Sequence, residues 1–323
     1  MFWFYPHIEY PLAATQLILA MSGMGATLTL HQFRAILRRP HPVALVLVLQ
    51  YVVFPMLAAV AARVTGMPPG IAVGLVLMNT VPSGSFTNVF TYLGHGNVTL
   101  SIVMKCASTA VCFVTTPLVI DLLTTAELPG DFRIPVDKTL YPVLWFLVLP
   151  MIAGMLIARY WSKHKHAFAK WAVRASLVPL TMIVVGALGS GRIDVTEYGL
   201  GVPVLLVVFV YASLLLTKWL ALLLGYNWSD AFTMGIEVAV RNGNLAIALV
   251  ASLFPATEKD DPIGRGVFFV TLFYAGASMV IAAVSVTWRR ILLARHERAT
   301  RDESQPEPIV SPTSRQQVGR ATK

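Results

Sequence analysis

Charge is scarce in this sequence. Asp, Glu, Lys and Arg make up 13% of its 323 residues, against about 25% in soluble domains. With 56% hydrophobic residues and a mean hydropathy of +0.68, the apolar runs are too many and too long for one globular core. Histidine is missing where a membrane enzyme would need it. The seven histidines (His7, His31, His41, His95, His164, His166, His296) all fall outside the apolar runs, and neither H-E-x-x-H nor G-x-S-x-G occurs. A hydrolase or metalloenzyme would need a His/Asp/Glu constellation near one membrane face. Cysteine is limited to Cys106 and Cys112. On one helix, six positions apart, their Cα atoms lie about 9 Å from each other, too far for a disulfide. No rings of like charge or repeated filter loops suggest a channel, and no sizeable soluble domain suggests a sensor. The start, Met1-Phe2-Trp3-Phe4-Tyr5-Pro6, lacks the basic stretch of a cleaved signal peptide; its aromatics read as an interfacial belt. The net charge of +9 sits in short loops and the C-terminal tail, which points to membrane topology and not to nucleic acid.

What is present is a series of nine apolar segments, at about 9–30, 42–63, 69–93, 97–123, 140–159, 172–189, 198–225, 230–254 and 266–288. The loops after the first and fifth and the tail after the ninth are basic. They fall on one side if the N-terminus is outside and the C-terminus cytoplasmic, which requires an odd count. The expectation is an all-α integral membrane protein of the cell membrane, ending in a disordered cytoplasmic tail at 296–323.

Two segments are interrupted. The third contains Pro82-Ser83-Gly84-Ser85; Pro removes a backbone hydrogen bond and Gly weakens the helix. The eighth, opened by a capping signal at Ser229-Asp230, holds Glu237, Arg241, Asn242, Gly243 and Asn244. Charges at that depth cost roughly 2.5–3.5 kcal/mol each on insertion scales, and mark substrate or ion pathways. The bland alternative is a buried Glu237–Arg241 pair that locks two helices together. Unwound backbone at membrane depth is tolerated where it is buried in protein or lines a cavity. Paired broken helices in corresponding positions of two halves indicate a transporter built from inverted repeats.

These residues resemble the bile acid:sodium symporter family. The resemblance rests on Gly23-Met24-Gly25 with Leu28 and Phe33, on Gln50, and on Pro82-Ser83-Gly84-Ser85-Phe86-Thr87-Asn88-Val89 with Thr91-Tyr92-Leu93 and Gly96-Asn97. Ile236-Glu237-Val238 with Asn242 completes it. The resemblance implies a core domain with two crossing, broken helices and a smaller panel domain, substrate between them and sodium at the crossing. Mapped onto this chain, panel helix 1 takes 1–30, the first half of the core 31–139, panel helices 5 and 6 140–196, and the second half of the core 197–295. It also implies one sodium site at Thr87, Asn88, Ser101, position 105 and Glu237, and a second at Gln50, Glu237, the carbonyls of Val238 and Val240, and position 241. The chain departs from the family by carrying Lys105 and Arg241.

An ammonium or guanidinium offers donors and no acceptor, whereas sodium wants oxygen ligands. The reading is therefore a secondary transporter of organic anions in which Lys105 and Arg241 replace sodium, with Lys105 and Glu237 as a coupled pair that admits proton coupling. Ordinary sodium-coupled symport is the alternative; a membrane enzyme or channel is the other class. Lys105 otherwise snorkels to the interface, as Lys218 is expected to do. Asn242 and Asn244 bind substrate or satisfy freed backbone. Partners are a small organic anion and the bilayer; no cofactor is expected beyond sodium.

Overall fold

The computed structural model describes residues 4–28, 40–124, 140–192, 197–257 and 261–304, with backbone alone at 124 and 296–304. Among these residues the chain is built of eleven helices. They are α1 (Tyr5–Gly25), α2 (Pro40–Thr65), α3 (Pro69–Thr80), α4 (Thr87–Leu93), α5 (Val98–Thr124) and α6 (Leu140–Tyr160), then α7 (Lys165–Ser190), α8 (Gly201–Leu223), α9 (Trp228–Ala239), α10 (Gly243–Leu253) and α11 (Pro262–Ser304). Six of them, α2, α5, α6, α7, α8 and α11, are long and apolar enough to cross a bilayer. This is a multi-pass membrane protein. At 12 and 11 residues, α3 and α10 reach about 18 and 17 Å, short of a hydrocarbon core of about 30 Å. Each becomes long enough only with its partner, α4 or α9.

Several boundaries differ from the sequence-based expectation. α7 starts at Lys165, so Lys165, His166 and Lys170 lie on a helix and not in a loop. α11 runs on through Arg289, Arg290 and Arg295 to Ser304, so the expected tail from 296 begins as helix; Lys and Arg are good helix formers once the chain has left the bilayer. α9 is capped by Asn227, whose Oδ1 accepts from Asp230 N (2.9 Å), two residues before the expected start. Tyr5 is not part of an interfacial belt: it is buried, with its ring against Gly186 of α7. In α2 a wide π-helical turn over Leu49–Val53, just ahead of Pro55, brings Gln50 and Tyr51 into the interior.

α1 packs on α7, α6 and α10. α3 lies against α11, α2 and α5, while α8, α9 and α11 pack on one another. The α1–α6 contact depends on small residues, as membrane helix packing does when backbones approach closely. A Cβ at Gly154 would run into the Ser22 carbonyl oxygen and come 2.8 Å from Ala26 N. Gly154→Val should therefore destabilise the protein by about 1–3 kcal/mol, the usual cost of overpacking. Thermal unfolding in detergent will show this as a lower Tm. Gly201→Ala is the control, because a Cβ there meets nothing within 4 Å.

Candidate functional site: the crossing of two broken helices

The first break follows from Pro82. The residue before a proline is driven out of the helical region, and Val81 is extended at φ −77°, ψ 152°. The chain re-enters helix at Thr87. In the second break Val240 is extended at φ −90°, ψ 104°, and Asn242 caps α10 by accepting from Leu245 N (3.2 Å). The two breaks meet. Gly84 N donates to Val240 O and Asn242 N to Pro82 O, both at 2.8 Å, around an antiparallel bridge between Ser83 and Arg241. This short patch satisfies backbone groups that both helices have released, as a dry interior demands. Gly84 is required there, since a Cβ would lie 2.8 Å from Arg241 O.

Around this crossing the side chains sort into two groups. In the first, Ser101 Oγ lies 2.7 Å from Asn88 Oδ1 and donates to Glu237 Oε1. Thr87 Oγ1 donates to Gly84 O (3.2 Å), and Lys105 Nζ donates to Ser85 O (3.1 Å). In the second, Gln50 Nε2 donates to Val81 O (3.3 Å). Arg241 reaches Val81 O through Nη1 and Asn79 Oδ1 through Nη2, both at 3.4 Å. Tyr51 and Ser108 support the first break: Tyr51 Oη donates to Ser108 O (2.7 Å) and Ser83 N to Ser108 Oγ (3.3 Å).

Glu237, Lys105 and Arg241 are all 0% exposed. Lys105 therefore does not snorkel, whereas Lys218 is half-buried with its ammonium over Trp219 and Trp228. Among the described residues neither Lys105 nor Arg241 forms a direct ion pair with Glu237. The expected Glu237–Arg241 pair is thus not formed. Residues four apart face each other only on a continuous helix, and the break at Val240 turns Arg241 toward the end of α3. Three oxygens at the crossing, Glu237 Oε2, Gln50 Oε1 and Ser85 Oγ, are buried without a hydrogen-bond partner. Buried acceptors are rarely left so, and oxygens are what hard cations bind. Val240 O, in contrast, is engaged by Gly84 N.

Two cavities adjoin the crossing. One, of about 270 Å³, is lined by Arg241, Asn242 and Asn244 with apolar walls from Leu180, Val184 and Ile247. The other, of about 460 Å³, includes Met24, Leu28, Asn88, Lys105, Lys170 and Arg174. They share Ser85 and Phe86. An apolar space with a few cations at its depth and rim suits an anion with an apolar body. The structure thus brings together Thr87, Asn88, Ser101, Lys105 and Glu237, and separately Gln50 with Arg241. Asn242 is committed to its cap, while half-buried Asn244 stands in a cavity wall. Sequence reasoning passed over Asn79, the one amide in the apolar run of α3; the rule that picked out Glu237 would have found it.

Comparison with known proteins agrees with this geometry. The family described as Sodium Bile acid symporter family matches residues 14–197, more than half of the chain. The probable sodium/metabolite cotransporter BASS1, chloroplastic, of Arabidopsis thaliana is 31% identical over 241 residues, 74% of this chain and 58% of that protein. The uncharacterized sodium-dependent transporter YocS of Bacillus subtilis is 28% identical over 234 residues, 72% of each chain. The human sodium-dependent organic anion transporter is 26% identical over 287 residues, 86% of this chain and 73% of that one. The chain thus spans between about three fifths and three quarters of the length of these relatives. A family of transporters leaves no place for the enzyme reading. By the extent of that match, and with two broken helices crossing at a buried glutamate, this chain belongs to the sodium bile acid symporter family.

Proposed function

We propose that the chain is a secondary active transporter that carries a small organic anion by alternating access, with sodium as the coupling ion. The observation that carries the reading is the crossing itself: buried Glu237 and the unpartnered oxygens of Gln50 and Ser85, beside a cavity whose charged residues are all basic. The relatives named as sodium-dependent transporters favour sodium coupling over the sodium-independent reading of the sequence. In this proposal Glu237, Ser101, Thr87, Asn88 and Gln50 handle the ion, Asn244 faces the anion, and the buried Arg241 charge acts on it from behind the cavity wall. With each interrupted pair counted once and α1 taken as a span, the helices among the described residues correspond to nine crossings in this proposal. α1, α6 and α7 act as a panel and the rest as a core of two inverted halves; the face of Lys170 and Arg174 is cytoplasmic, as the positive-inside rule favours.

One observation favours a second reading. Lys105 and Arg241 are both buried at the crossing and take carbonyl oxygens as partners. With Glu237 ionised they give a net charge of +1, the same as two sodium ions would. In that reading the resident cations replace sodium. Uptake of a bile acid, pantothenate and a 2-keto acid into proteoliposomes, with sodium or N-methyl-D-glucamine outside, decides between them. Accumulation that requires the sodium gradient supports symport. Equal accumulation in both buffers overturns symport in favour of resident cations, and uptake no faster than into empty liposomes overturns both.

A further inference from the structure

Far from the crossing, a second charged group is fully enclosed. Arg192, just beyond α7, places Nη2 3.2 Å from Glu9 Oε1 of α1, and the two side chains are 5% and 1% exposed. The same nitrogen donates to Phe254 O at the end of α10 (2.5 Å), and the guanidinium lies 5.3 Å over the ring of Phe268 on α11. One cation thus ties α1 and α7 to α10 and α11.

Its position is opposite to the open cavity. Met24 and Leu28, at the other end of α1, line the cavity of Lys170 and Arg174. Glu9 is about 22 Å away along the α1 axis, and the Arg192 end of α7 is about 30 Å from Lys170. The cavity with the basic rim and the cavity that holds Asn244 share Ser85 and Phe86; the basic rim lies toward one end of α1 and α7, and the Glu9–Arg192 group stands at the other.

We propose that Glu9 and Arg192 are positioning residues of the transport cycle, a gating pair that holds the far end shut while the cavity is open and parts when the far end opens. A contact that only glued helices together would be served as well by apolar side chains. A contact that must open to water gains from charge, because both partners are hydrated once separated, while exposed apolar surface is penalised. The proposal rests on the alternating-access reading.

The test uses Val184→Cys as a reporter in the wall of the inner cavity; the native Cys106 and Cys112 are both buried. Membrane-impermeant thiol reagents are applied to right-side-out and inside-out vesicles. The reporter should label from the face of Lys170 and Arg174. Adding Glu9→Gln or Arg192→Gln should raise labelling from the other face at least about fivefold, the size of a typical coupling between two states. Glu9→Asp, which keeps the charge, should fall near the parent. Phe268→Ala should give a smaller change of the same sign, and serves if the charge variants do not fold. Arg265→Gln, which loses the half-exposed pair with Glu197, should leave the ratio alone. An unchanged ratio in folded Glu9→Gln, Arg192→Gln or Phe268→Ala protein overturns the gating pair. Equal labelling of the parent reporter from both faces overturns instead the alternating-access reading beneath it.

Discussion

Glu237→Gln is expected to lower concentrative uptake by at least roughly a hundredfold, equivalent to about 2.8 kcal/mol. The substitution preserves shape and can keep the Ser101 contact, so a structural contribution is separable from a charge contribution. Glu237 is fully buried in α9, and with Lys105 and Arg241 it sets the charge at the crossing. Its neutralisation raises that charge from +1 to +2 and leaves two buried cations uncompensated. Buried cations left without a nearby counter-charge are costly, so the variant should also melt at a lower temperature. A double variant, Glu237→Gln with Lys105→Met, restores the charge to +1. It should regain most of the lost Tm and none of the uptake, because the carboxylate that handles the coupling ion is still missing. Proteoliposome uptake and thermal unfolding of the same preparations measure both. Transport by the single variant near the parent rate would remove Glu237 from the mechanism.

The second large effect concerns the anion. Arg241→Gln removes one buried positive charge from behind the inner cavity, taking the crossing from +1 to 0. At about 7 Å and an effective dielectric of 20, one unit charge contributes about 2.4 kcal/mol to an anion. The apparent KM for uptake should rise by roughly 10- to 50-fold. Arg241→Lys keeps the charge and loses the two-pronged reach to Val81 O and Asn79 Oδ1; its KM should move less. If sodium couples transport, raising external sodium should recover part of the affinity lost in Arg241→Gln, since a bound ion returns the missing charge. Concentration series at several sodium levels read this directly, and a KM identical to the parent would exclude Arg241 from anion binding.

Most of this architecture is legible in the chain because the membrane makes local chemistry decisive. Pro82-Ser83-Gly84-Ser85 announces its break, since a proline and a glycine in a lipid-embedded run leave backbone groups that must find partners. Glu237 and Lys105 stand out because charge at that depth is rare. What stayed hidden depends on direction or on long separation. Arg241 was legible as a buried cation, but which way it turns depends on Val240 leaving the helix. The Lys165–Lys170 stretch read as a loop because hydropathy falls there, yet charged residues at the water interface prolong a helix as well as end it. Glu9 and Arg192 are 183 positions apart, and neither carries a local signal that names the other; only packing α1 against α7 brings them together. The basic stretch that follows the first apolar segment, with Arg34, Arg38 and Arg39, and the chain after Ser304 lie outside the described residues.

The claim beneath all of this is that the anion passes through the cavity between the crossing and α7. Protection of an Asn244→Cys reporter in that wall tests it most directly. Labelling of this cysteine by an impermeant thiol reagent should slow at least about fivefold when the transported acid is present at ten times its KM, as expected for a nearly saturated site. It should return to the free rate with an acid that is not transported. An unchanged labelling rate at concentrations that saturate uptake would place the anion path elsewhere and contradict the account.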